Sequence, residues 1–383
     1  MYKQVIKYFL LASSVLLLAA CDGFFEKDNT PTPSPLVNFT PEIKPRLLWS
    51  TNAGAGADDE FLRISPAISQ TSIFTASTNG TVTSINKQDG SKYWQVGTGV
   101  PITTSPGIGQ GLVVVSSRKG DIVALSQIKG NIVWRTSVTC EILAQPAISN
   151  DIVVIKGTDG HVHGLSIKDG HELWLFQQAE PSLILRGSSA PLIRNHGIIV
   201  GFANGNLTKL SLGDGQLVWS QTIATPEGAF AIQRMIDIDA DPIAYNNRIY
   251  AATYQGKIAS LESASGKELW SQDISSYTGM VADENTVYIS DATGSVWAFN
   301  ATSGGVNWRQ TRLLARVLSG PGDMGRYIVV GDAQGYLHWI NKADGHFAAR
   351  EYLRSPVYAA PIVENNVLYA LTNNGKLFAY ILS

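Results

Sequence analysis

Short stretches of alternating polar and apolar residues recur along the chain, each followed by a turn and a second apolar stretch. In residues 160–174 the alternating stretch begins at Gly160, the turn is Lys168-Asp169-Gly170, and the second stretch ends in Trp174. Alternation with a period of two predicts a half-buried β-strand, and a glycine in such a turn can adopt the positive φ that tight hairpins need. The repeated unit is therefore predicted to be a β-hairpin.

This hairpin unit recurs about every forty residues. Its two glycines stand ten residues apart in seven copies, and an eighth copy begins near the end of the chain. A four-stranded antiparallel blade needs about forty residues, and blades repeated around an axis form a propeller. The sequence therefore predicts an all-β, eight-bladed β-propeller of four-stranded antiparallel blades. The leading glycines are Gly80, Gly120, Gly160, Gly205, Gly256, Gly294, Gly335 and Gly375.

The two ends of the chain are expected to complete one blade. The eighth copy stops at Leu382 without an outer strand, whereas residues 47–50 form an apolar strand with no hairpin before it. A blade shared by the N- and C-terminal strands would close the ring and remove the unpaired edge there. The predicted propeller domain spans residues 47–383, a size that repeats can reach because each one packs against its neighbours.

Seven of the nine tryptophans occupy one position of the repeat. A large aromatic side chain that recurs at a fixed place is typical of packing between repeats, so these side chains are interpreted as wedges between blades. The seventh copy has Ala349 at this position. The seven tryptophans are Trp49, Trp94, Trp134, Trp174, Trp219, Trp270 and Trp308.

The N-terminal region has the features of an export signal. Lys3 and Lys7 precede an apolar run, and the small residues before Cys21 resemble the lipobox of bacterial lipoproteins. Residues 1–20 are therefore predicted to be a lipoprotein signal peptide, and Cys21 to become the acylated first residue. Asp22 resembles an inner-membrane retention signal, so this residue leaves retention in the inner membrane open.

A proline-rich segment follows the expected acylation site. Residues 21–46 contain five prolines among polar residues and show no apolar periodicity. Such a composition favours an extended, flexible tether rather than a packed element. Deleting residues 24–40 is therefore expected to cost almost no stability.

Composition and motifs indicate neither nucleic-acid binding nor a cofactor. The formal net charge of −2 provides no basic field for nucleic acid. Residues 320–325 match G-x-G-x-x-G, but a strand follows where a dinucleotide site requires a helix, which predicts a hairpin turn. Cys140 has no histidine near it in sequence and is interpreted as a small buried side chain. No catalytic residue and no cofactor are predicted.

Two further patterns resemble metal sites without completing them. His161 and His163 lie two residues apart on a predicted strand and face the same side, but no third ligand is evident. Residues 237–241 resemble the start of a calcium loop, yet Pro242 and Arg248 stand where that loop needs glycine and glutamate. No metal site is predicted.

The segments between repeats differ in length. From the repeat tryptophan to the next leading glycine the chain takes 31 residues after Trp174 and 37 after Trp219, against 24 to 27 after the other positions from Trp94 onward. Equivalent connectors lie on one face of a propeller, and insertions there often mark a binding surface. The segment after Trp49 also takes 31 residues and is acidic at residues 58–60, so length alone does not single out one site.

The unit from Leu165 to Trp174 resembles the tryptophan-docking repeat of pyrroloquinoline-quinone (PQQ) dehydrogenase propellers. Those enzymes carry adjacent cysteines at the cofactor, which the isolated Cys21 and Cys140 do not supply. Because the repeat is similar, a PQQ-dependent dehydrogenase remains one alternative function despite the missing cysteine pair. A periplasmic adaptor of another envelope complex is the alternative among binding proteins.

The chain as a whole more closely resembles the BamB family, lipoproteins of the outer-membrane β-barrel assembly machinery. The resemblance is carried by the lipobox, the proline-rich segment, the eight repeats and residues 183–191, 234–242 and 330–340. It implies a non-enzymatic scaffold, lipid-anchored on the periplasmic face of the outer membrane, that binds the POTRA domains of BamA within the assembly complex and aids barrel insertion. Unfolded outer-membrane proteins are further possible partners through β-augmentation. The partner-binding positions that the resemblance implies are Leu183, Leu185, Arg186, Asp237 and Asp239. The alternative role for Arg186 is to pair with Asp237 or Asp239 within the propeller and hold the two long connectors together, and both roles can coexist.

Overall fold

A computed structural model describes residues 30–57, 60–185 and 187–382. Eight sheets of four antiparallel strands form a ring, with the innermost strands of most adjacent sheets in contact. This is the eight-bladed β-propeller that the repeat spacing predicts. The predicted signal peptide, Cys21 and Arg186 lie outside the described residues. Within the described ranges, no helix has the length and apolar character needed to cross a bilayer.

Each of the first seven blades is built from four consecutive strands, and the eighth takes its outer strand from the N-terminal region. Blades 1 to 4 comprise β2 (Ala67–Ile68), β3 (Ser72–Ala76), β4 (Thr81–Asn86) and β5 (Lys92–Gly97); β6 (Gly107–Gly109), β7 (Leu112–Ser116), β8 (Asp121–Ser126) and β9 (Ile132–Ser137); β10 (Ala147–Ser149), β11 (Ile152–Lys156), β12 (His161–Ser166) and β13 (Glu172–Gln177); β14 (Leu192–Arg194), β15 (Gly197–Gly201), β16 (Asn206–Ser211) and β17 (Leu217–Thr222). Blades 5 to 8 comprise β18 (Ile243–Tyr245), β19 (Arg248–Ala252), β20 (Gly256–Glu262) and β21 (Glu268–Ile274); β22 (Met280–Ala282), β23 (Thr286–Ser290), β24 (Val296–Asn300) and β25 (Val306–Gln310); β26 (Gly322–Met324), β27 (Tyr327–Gly331), β28 (Tyr336–Asn341) and β29 (Phe347–Tyr352); β30 (Ile362–Glu364), β31 (Val367–Leu371), β32 (Lys376–Leu382) and β1 (Pro45–Asn52). A short 3-10 helix spans Ala231–Arg234.

Burial within a blade follows from the position of each strand. The second strand, such as β11, is buried along its length because neighbouring blades cover both of its faces, and its sequence is a nearly continuous apolar run. The fourth strand, such as β13, alternates between buried and exposed positions because its outer side meets solvent. The core is therefore a series of layers between blades, which is how a propeller buries apolar surface.

The tryptophans dock on the turn glycines of the following blade. A Cβ atom at Gly170 would lie 2.7 Å from the indole of Trp134, and the Trp134 Nε1–H donates to the carbonyl of Ile167 at 2.8 Å. Gly170 also has a φ of 76°, so the position needs glycine both for its backbone conformation and for the room it leaves. The predicted role as wedges between blades is confirmed. The other pairs are Trp49 with Gly90, Trp94 with Gly130, Trp174 with Gly215, Trp219 with Gly266, Trp270 with Gly304 and Trp308 with Gly345.

The ring closes as predicted, through pairing of β1 with β32 in blade 8. The outer strand of this blade comes from the other end of the chain, so no hairpin turn offers a glycine to a tryptophan in blade 7. Ala349 stands at that position, and the junction is filled instead by the fully buried Trp339, whose ring lies 6.0 Å from that of Tyr380. The missing tryptophan is thus a consequence of how the ring is closed.

Residues 34–44, here called the N-terminal strap, pack along blade 7. The Arg316 guanidinium donates to the carbonyl of Ser34 at 3.0 Å, and Arg350 donates to the carbonyl of Val37 at 3.1 Å. The Phe39 ring lies 5.7 Å from that of Phe347. The flexible tether predicted over residues 21–46 therefore does not extend through the strap: prolines keep it extended, and its carbonyls and apolar side chains find partners on the blade.

Candidate functional site

The two long connectors lie side by side and are joined by hydrogen bonds. The first long connector (residues 178–191) links blades 3 and 4, and the second (residues 223–242) links blades 4 and 5. The backbone N–H of Leu185 donates to Asp237 Oδ1 at 2.7 Å, and that of Ala190 donates to the Asp241 carboxylate at 2.6 Å. Carboxylates of the second connector therefore hold the backbone of the first.

The two aspartates that the family resemblance marks as partner-binding are buried. Asp237 is 2% exposed and Asp239 is 5% exposed. Burial raises the pKa of Asp237 to about 6, and the neighbouring Asp239 carboxylate adds to the shift, while the bond from Leu185 opposes it. Asp237 Oδ2 is buried without a hydrogen-bond partner in the described chain. The position of Asp237 suits holding the first connector in place, whereas an outward-facing contact would need an exposed carboxylate.

The leucines of the first connector face two environments. Leu183 is 45% exposed, so its side chain is available on the surface of the connector. Leu185 is half-buried and lines a cavity, while its backbone is bound to Asp237. The structure therefore brings together the leucine and aspartate positions that the resemblance implies, one leucine outside and the aspartates beneath.

Two more charged groups lie at the connectors, the half-buried Glu180 and the buried Lys156. Glu180 accepts hydrogen bonds from the backbone N–H groups of Ala203 and Asn204 at 3.1 and 3.0 Å, which ties the first connector to the turn after β15. Burial nevertheless raises the pKa of Glu180 to about 7. Lys156 is also buried; burial lowers its pKa, opposed mainly by the charge of Asp239. Among the described residues Lys156 forms no ion pair with a carboxylate.

The second long connector carries exposed apolar residues that the sequence analysis did not single out. Phe230 directly precedes its 3-10 helix and Ile232 lies within it, and they are 68% and 61% exposed. In the sequence, the signal that could have identified them was the presence of apolar residues within a long surface insertion. They add apolar surface to the same connector pair that exposes Leu183.

A cavity of about 370 Å³ lies at the centre of this face of the ring. Each of the eight connectors between blades contributes residues to its wall, which places it on the propeller axis. Leu185 and Gly187 come from the first long connector, and Asp239 and Asp241 from the second. The two long connectors thus border both the outer surface and the central cavity.

Comparison with known proteins shows which family this chain is similar to. A family model described as outer membrane protein assembly factor BamB matches residues 78–310 and 292–381. The chain belongs to the BamB family. The BamB of Legionella pneumophila (strain Paris) is 44% identical over 357 residues, covering 93% of this chain and 93% of the relative. The crystal structure of BamB from Moraxella catarrhalis has a TM-score of 0.81 at 27% identity, covering 88% of this chain and 100% of that one.

Quinoprotein enzymes share the fold with this BamB-family chain. A quinohemoprotein alcohol dehydrogenase from Pseudomonas putida HK5 has a TM-score of 0.72 at 13% identity, covering 88% of this chain and 76% of the enzyme. Similarity at that identity shows a common propeller architecture and nothing about activity. It explains why the tryptophan repeat resembles those of the dehydrogenases.

Cys140 is buried as predicted, but a histidine lies beside it. His163 Nε2 is 3.8 Å from the Cys140 sulfur, and His163 Nδ1 is 2.7 Å from Glu172. Burial raises the pKa of the Cys140 thiol to about 12, with Asp159 adding to the shift. The thiol therefore remains protonated and is a poor nucleophile despite its neighbour. Sequence distance hid this contact because Cys140 lies in the connector before β10 and His163 lies in β12, and the two meet only in the fold.

The remaining motifs of this BamB-family chain have structural roles. Gly322–Met324 forms β26 and Gly325 takes a φ of 66° in the turn to β27, which confirms the predicted hairpin. His161 pairs with Asp159. No group of three metal-ligating side chains suited to a metal ion occurs in the part of the chain that the structure describes. Of the acidic residues 58–60, only Glu60 is described, and it pairs with Arg118 at 2.8 Å.

Proposed function

We propose that this chain is a non-enzymatic scaffold of the outer-membrane protein assembly complex, and that its two long connectors hold the POTRA domains of BamA. Family membership supports the assembly role, since the relatives are named as outer membrane protein assembly factors. The observation that supports the connector site is the bond from Leu185 to Asp237, which fixes the first connector while Leu183 stays exposed.

A fixed loop is a better binding surface than a flexible one. Binding costs less entropy when the loop already has its bound conformation, so the buried carboxylates raise affinity without touching the partner. Leu183, Phe230 and Ile232 supply exposed apolar area. Arg186, outside the described residues, adds a planar guanidinium of the kind enriched at interface hot spots.

The proposal includes a lipid anchor at Cys21 on the periplasmic face of the outer membrane. The lipobox supports acylation, and the family supports the outer membrane against the retention signal that Asp22 resembles. Separating inner and outer membranes on a density gradient tests the destination. Recovery in the inner membrane would contradict this part of the proposal.

Capture of detergent-solubilised BamA on the immobilised protein tests the connector site. Leu183→Ala should weaken capture by about 1–2 kcal/mol, or roughly 5- to 30-fold in Kd, and Arg186→Ala by about 2 kcal/mol or more. The melting temperature of Leu183→Ala should stay unchanged, because an exposed side chain is removed.

A matched control is available on an outer strand. Leu217 in β17 is 58% exposed and does not belong to either long connector. Leu217→Ala should leave capture unchanged. If both leucine variants lose capture equally, or neither does, the connectors are not the binding site.

A further inference from the structure

The N-terminal strap carries the chain from one face of the propeller to the other. The connectors between blades lie on one face, here called the connector face, because each links the end of a fourth strand to the start of the next blade. β1 begins at Pro45 on the opposite face, where the third strand of blade 8 ends. The Glu42 N–H donates to the carbonyl of Ala348 near the start of β29, whereas the Ser34 N–H donates to the carbonyl of Leu314 in a connector at 2.9 Å. The strap therefore places Ser34 on the connector face.

The strap also shortens the free part of the predicted tether. Cys21 stands 24 positions before Pro45 but only 13 before Ser34. An extended chain spans at most about 3.5 Å per residue, so the 13 residues reach no further than about 45 Å. Without the strap, the tether would be longer and would join the propeller on the opposite face. An acyl group on Cys21 would thus hold the connector face within a limited distance of the bilayer.

Apolar and aromatic side chains are exposed around Ser34. Leu314, the residue whose carbonyl accepts the Ser34 N–H, is 39% exposed, and Tyr352 at the end of β29 is 54% exposed. The Arg316 guanidinium lies between them: it donates to the carbonyl of Ser34 and lies 5.5 Å from the centre of the Tyr336 ring. That ring lies 4.6 Å from the ring of Tyr352. Exposed apolar area is therefore concentrated where the tether joins the propeller.

Two exposed arginines extend this surface. Arg312 and Arg354 stand two positions from Leu314 and Tyr352, respectively. Neither of the connectors that bear them contains an aspartate or a glutamate. A guanidinium has five N–H donors, so an exposed one can bind a phosphate whether or not a carboxylate also pairs with it. These four residues, here called the tether patch, combine positive charge with apolar and aromatic area.

The tether patch is complementary to the surface of a phospholipid bilayer. Tyrosine is enriched at membrane–water interfaces, because its ring can lie among apolar groups while its hydroxyl stays hydrated. Arginine binds phosphate through paired N–H donors, and leucine can enter the boundary between headgroups and acyl chains. The patch is small, but a short flexible tether gives an effective concentration in the millimolar range, so a Kd of about 1 mM suffices for half occupancy.

We propose that the tether patch lies against the phospholipid headgroups of the membrane that holds the acyl group, so that the connector face beside blade 7 is turned toward the bilayer. This inference rests on the lipid anchor at Cys21 in the proposed function and names the surface that the anchor brings to the membrane. Both long connectors lie on the same face, beside blade 4. A partner held there is therefore also kept near the bilayer.

Quenching of a fluorescent label by lipids that carry a nitroxide on the headgroup tests the orientation. The full-length acylated protein is placed in nanodiscs of phosphatidylethanolamine and phosphatidylglycerol. Since Cys140 is buried and Cys21 carries the acyl group, an added cysteine can be labelled alone. Thr311→Cys labels the connector face beside the patch, and Ala343→Cys labels the opposite face at blade 7; both positions are exposed. From the occupancy that the tether provides, quenching at Thr311 should exceed that at Ala343 by roughly threefold or more.

A charge placed in the patch should abolish this difference. Leu314→Glu sets a carboxylate against anionic headgroups but keeps the backbone carbonyl that binds the strap, and should reduce quenching at Thr311 to the level at Ala343. Leu217→Glu makes the same change at an exposed leucine of β17 in blade 4 and should leave quenching unchanged. Thermal melts check that each variant is folded. Arg312→Glu, with the same expected loss, is the second variant if Leu314→Glu does not fold.

Equal quenching of the two labels, or stronger quenching at Ala343, would overturn the proposal, as would quenching at Thr311 that survives both patch substitutions. The nanodiscs contain no other protein, so contact with a partner does not produce the difference. Equal quenching in an anchored protein that still captures BamA refutes the tether patch alone. A protein that does not enter nanodiscs refutes the lipid anchor together with this inference. Unequal quenching without capture of BamA refutes the connector site alone.

Discussion

Two clusters of charged side chains lie in different parts of the ring, and in the cluster at blade 7 the buried carboxylate is paired. Asp332, which is 0% exposed, accepts hydrogen bonds from Arg316 Nε at 2.7 Å and from His338 Nε2 at 2.9 Å. The Arg350 Nε–H donates to His338 Nδ1, which assigns the His338 proton to Nε2. Although burial acts to raise the pKa of Asp332, these partners, His338 above all, hold it below its usual value.

In the cluster under the long connectors, the described carboxylates outnumber the described cations. Glu180, Asp237, Asp239 and Asp241 approach one buried cation, Lys156, and among the described residues none of them is paired with it. Burial raises the pKa of Glu180, Asp237 and Asp239. Their hydrogen bonds come from backbone N–H groups, which fix the loops without neutralising the charge.

The difference separates a structural cluster from a functional candidate. Removing one partner from a buried ion pair leaves the other charge uncompensated, so loss of Asp332 should strand the charge of Arg316. Carboxylates with raised pKa values are held at a cost in stability, and such groups occur preferentially at binding and catalytic sites. The same residue type is thus paired with an arginine on one side of the ring and, among the described residues, is held mainly by backbone N–H groups on the other.

The largest expected effect is on the paired cluster. Asp332→Asn places an amide donor against the N–H groups of Arg316 and His338, and should lower the free energy of unfolding by about 3–5 kcal/mol. Urea denaturation measures the loss. Asp239→Asn makes the same change in the cluster under the long connectors, where no described residue pairs with the carboxylate, and should cost no stability. Equal losses in the two variants would show that the clusters do not differ.

Replacing the strap should have the next largest effect. A Gly/Ser sequence of equal length at residues 34–40 removes the apolar contacts around Phe39 and loosens the carbonyls that satisfy Arg316 and Arg350. The expected loss is about 2–4 kcal/mol, since hydrogen bonds to charged groups are worth more than neutral ones. The same replacement at residues 24–29, which the sequence predicts to be flexible, is the control. A melt insensitive to both would mean that the strap does not stabilise blade 7.

The smallest effect depends on pH. Asp237 has its pKa raised from an ordinary 3.8 to about 6, so its contribution to stability is present below pH 3.8 and is lost as the pH rises through about 6. Asp237→Asn removes this loss. Relative to the wild type, the variant should be about 2–3 kcal/mol more stable at pH 7.5 and unchanged near pH 4.

Urea denaturation at the two pH values measures the difference, with Asp273→Asn as a control for an exposed carboxylate. A gain for Asp237→Asn of the same size at both pH values would show that Asp237 does not titrate in this range. The cluster under the long connectors would then resemble the cluster at blade 7 more closely than the structure indicates.

The fold could be predicted because its determinants are local. Glycine spacing determines the hairpin, and pairs such as Trp134 with Gly170 determine the contact between blades. Both features recur with the repeat of about forty residues and are therefore visible in the sequence. The strap could not be predicted in this way. Leu36, Val37 and Phe39 show no periodicity, because an extended segment binds through its carbonyls and through whichever side chains meet the blade.

The candidate site could be predicted only in part. Connector length identified the two loops, but not that Asp237 would be buried beneath Leu185, a partner 52 positions away. Charged residues are usually exposed, so their sequence gives no sign of burial. The central cavity has no sequence signature at all, since each connector contributes only a few residues to its wall.

Closure of the ring by β1 and β32 also sets an order of events. Pro45 pairs with Leu382, so one of the first strands to be synthesised needs one of the last as its partner. Contacts between residues so far apart form late and slowly. If the chain crosses a membrane extended and N-terminus first, β1 is translocated long before β32. Blade 8 can then form only after β32 has also crossed. The ring therefore cannot be completed until all eight blades have been translocated.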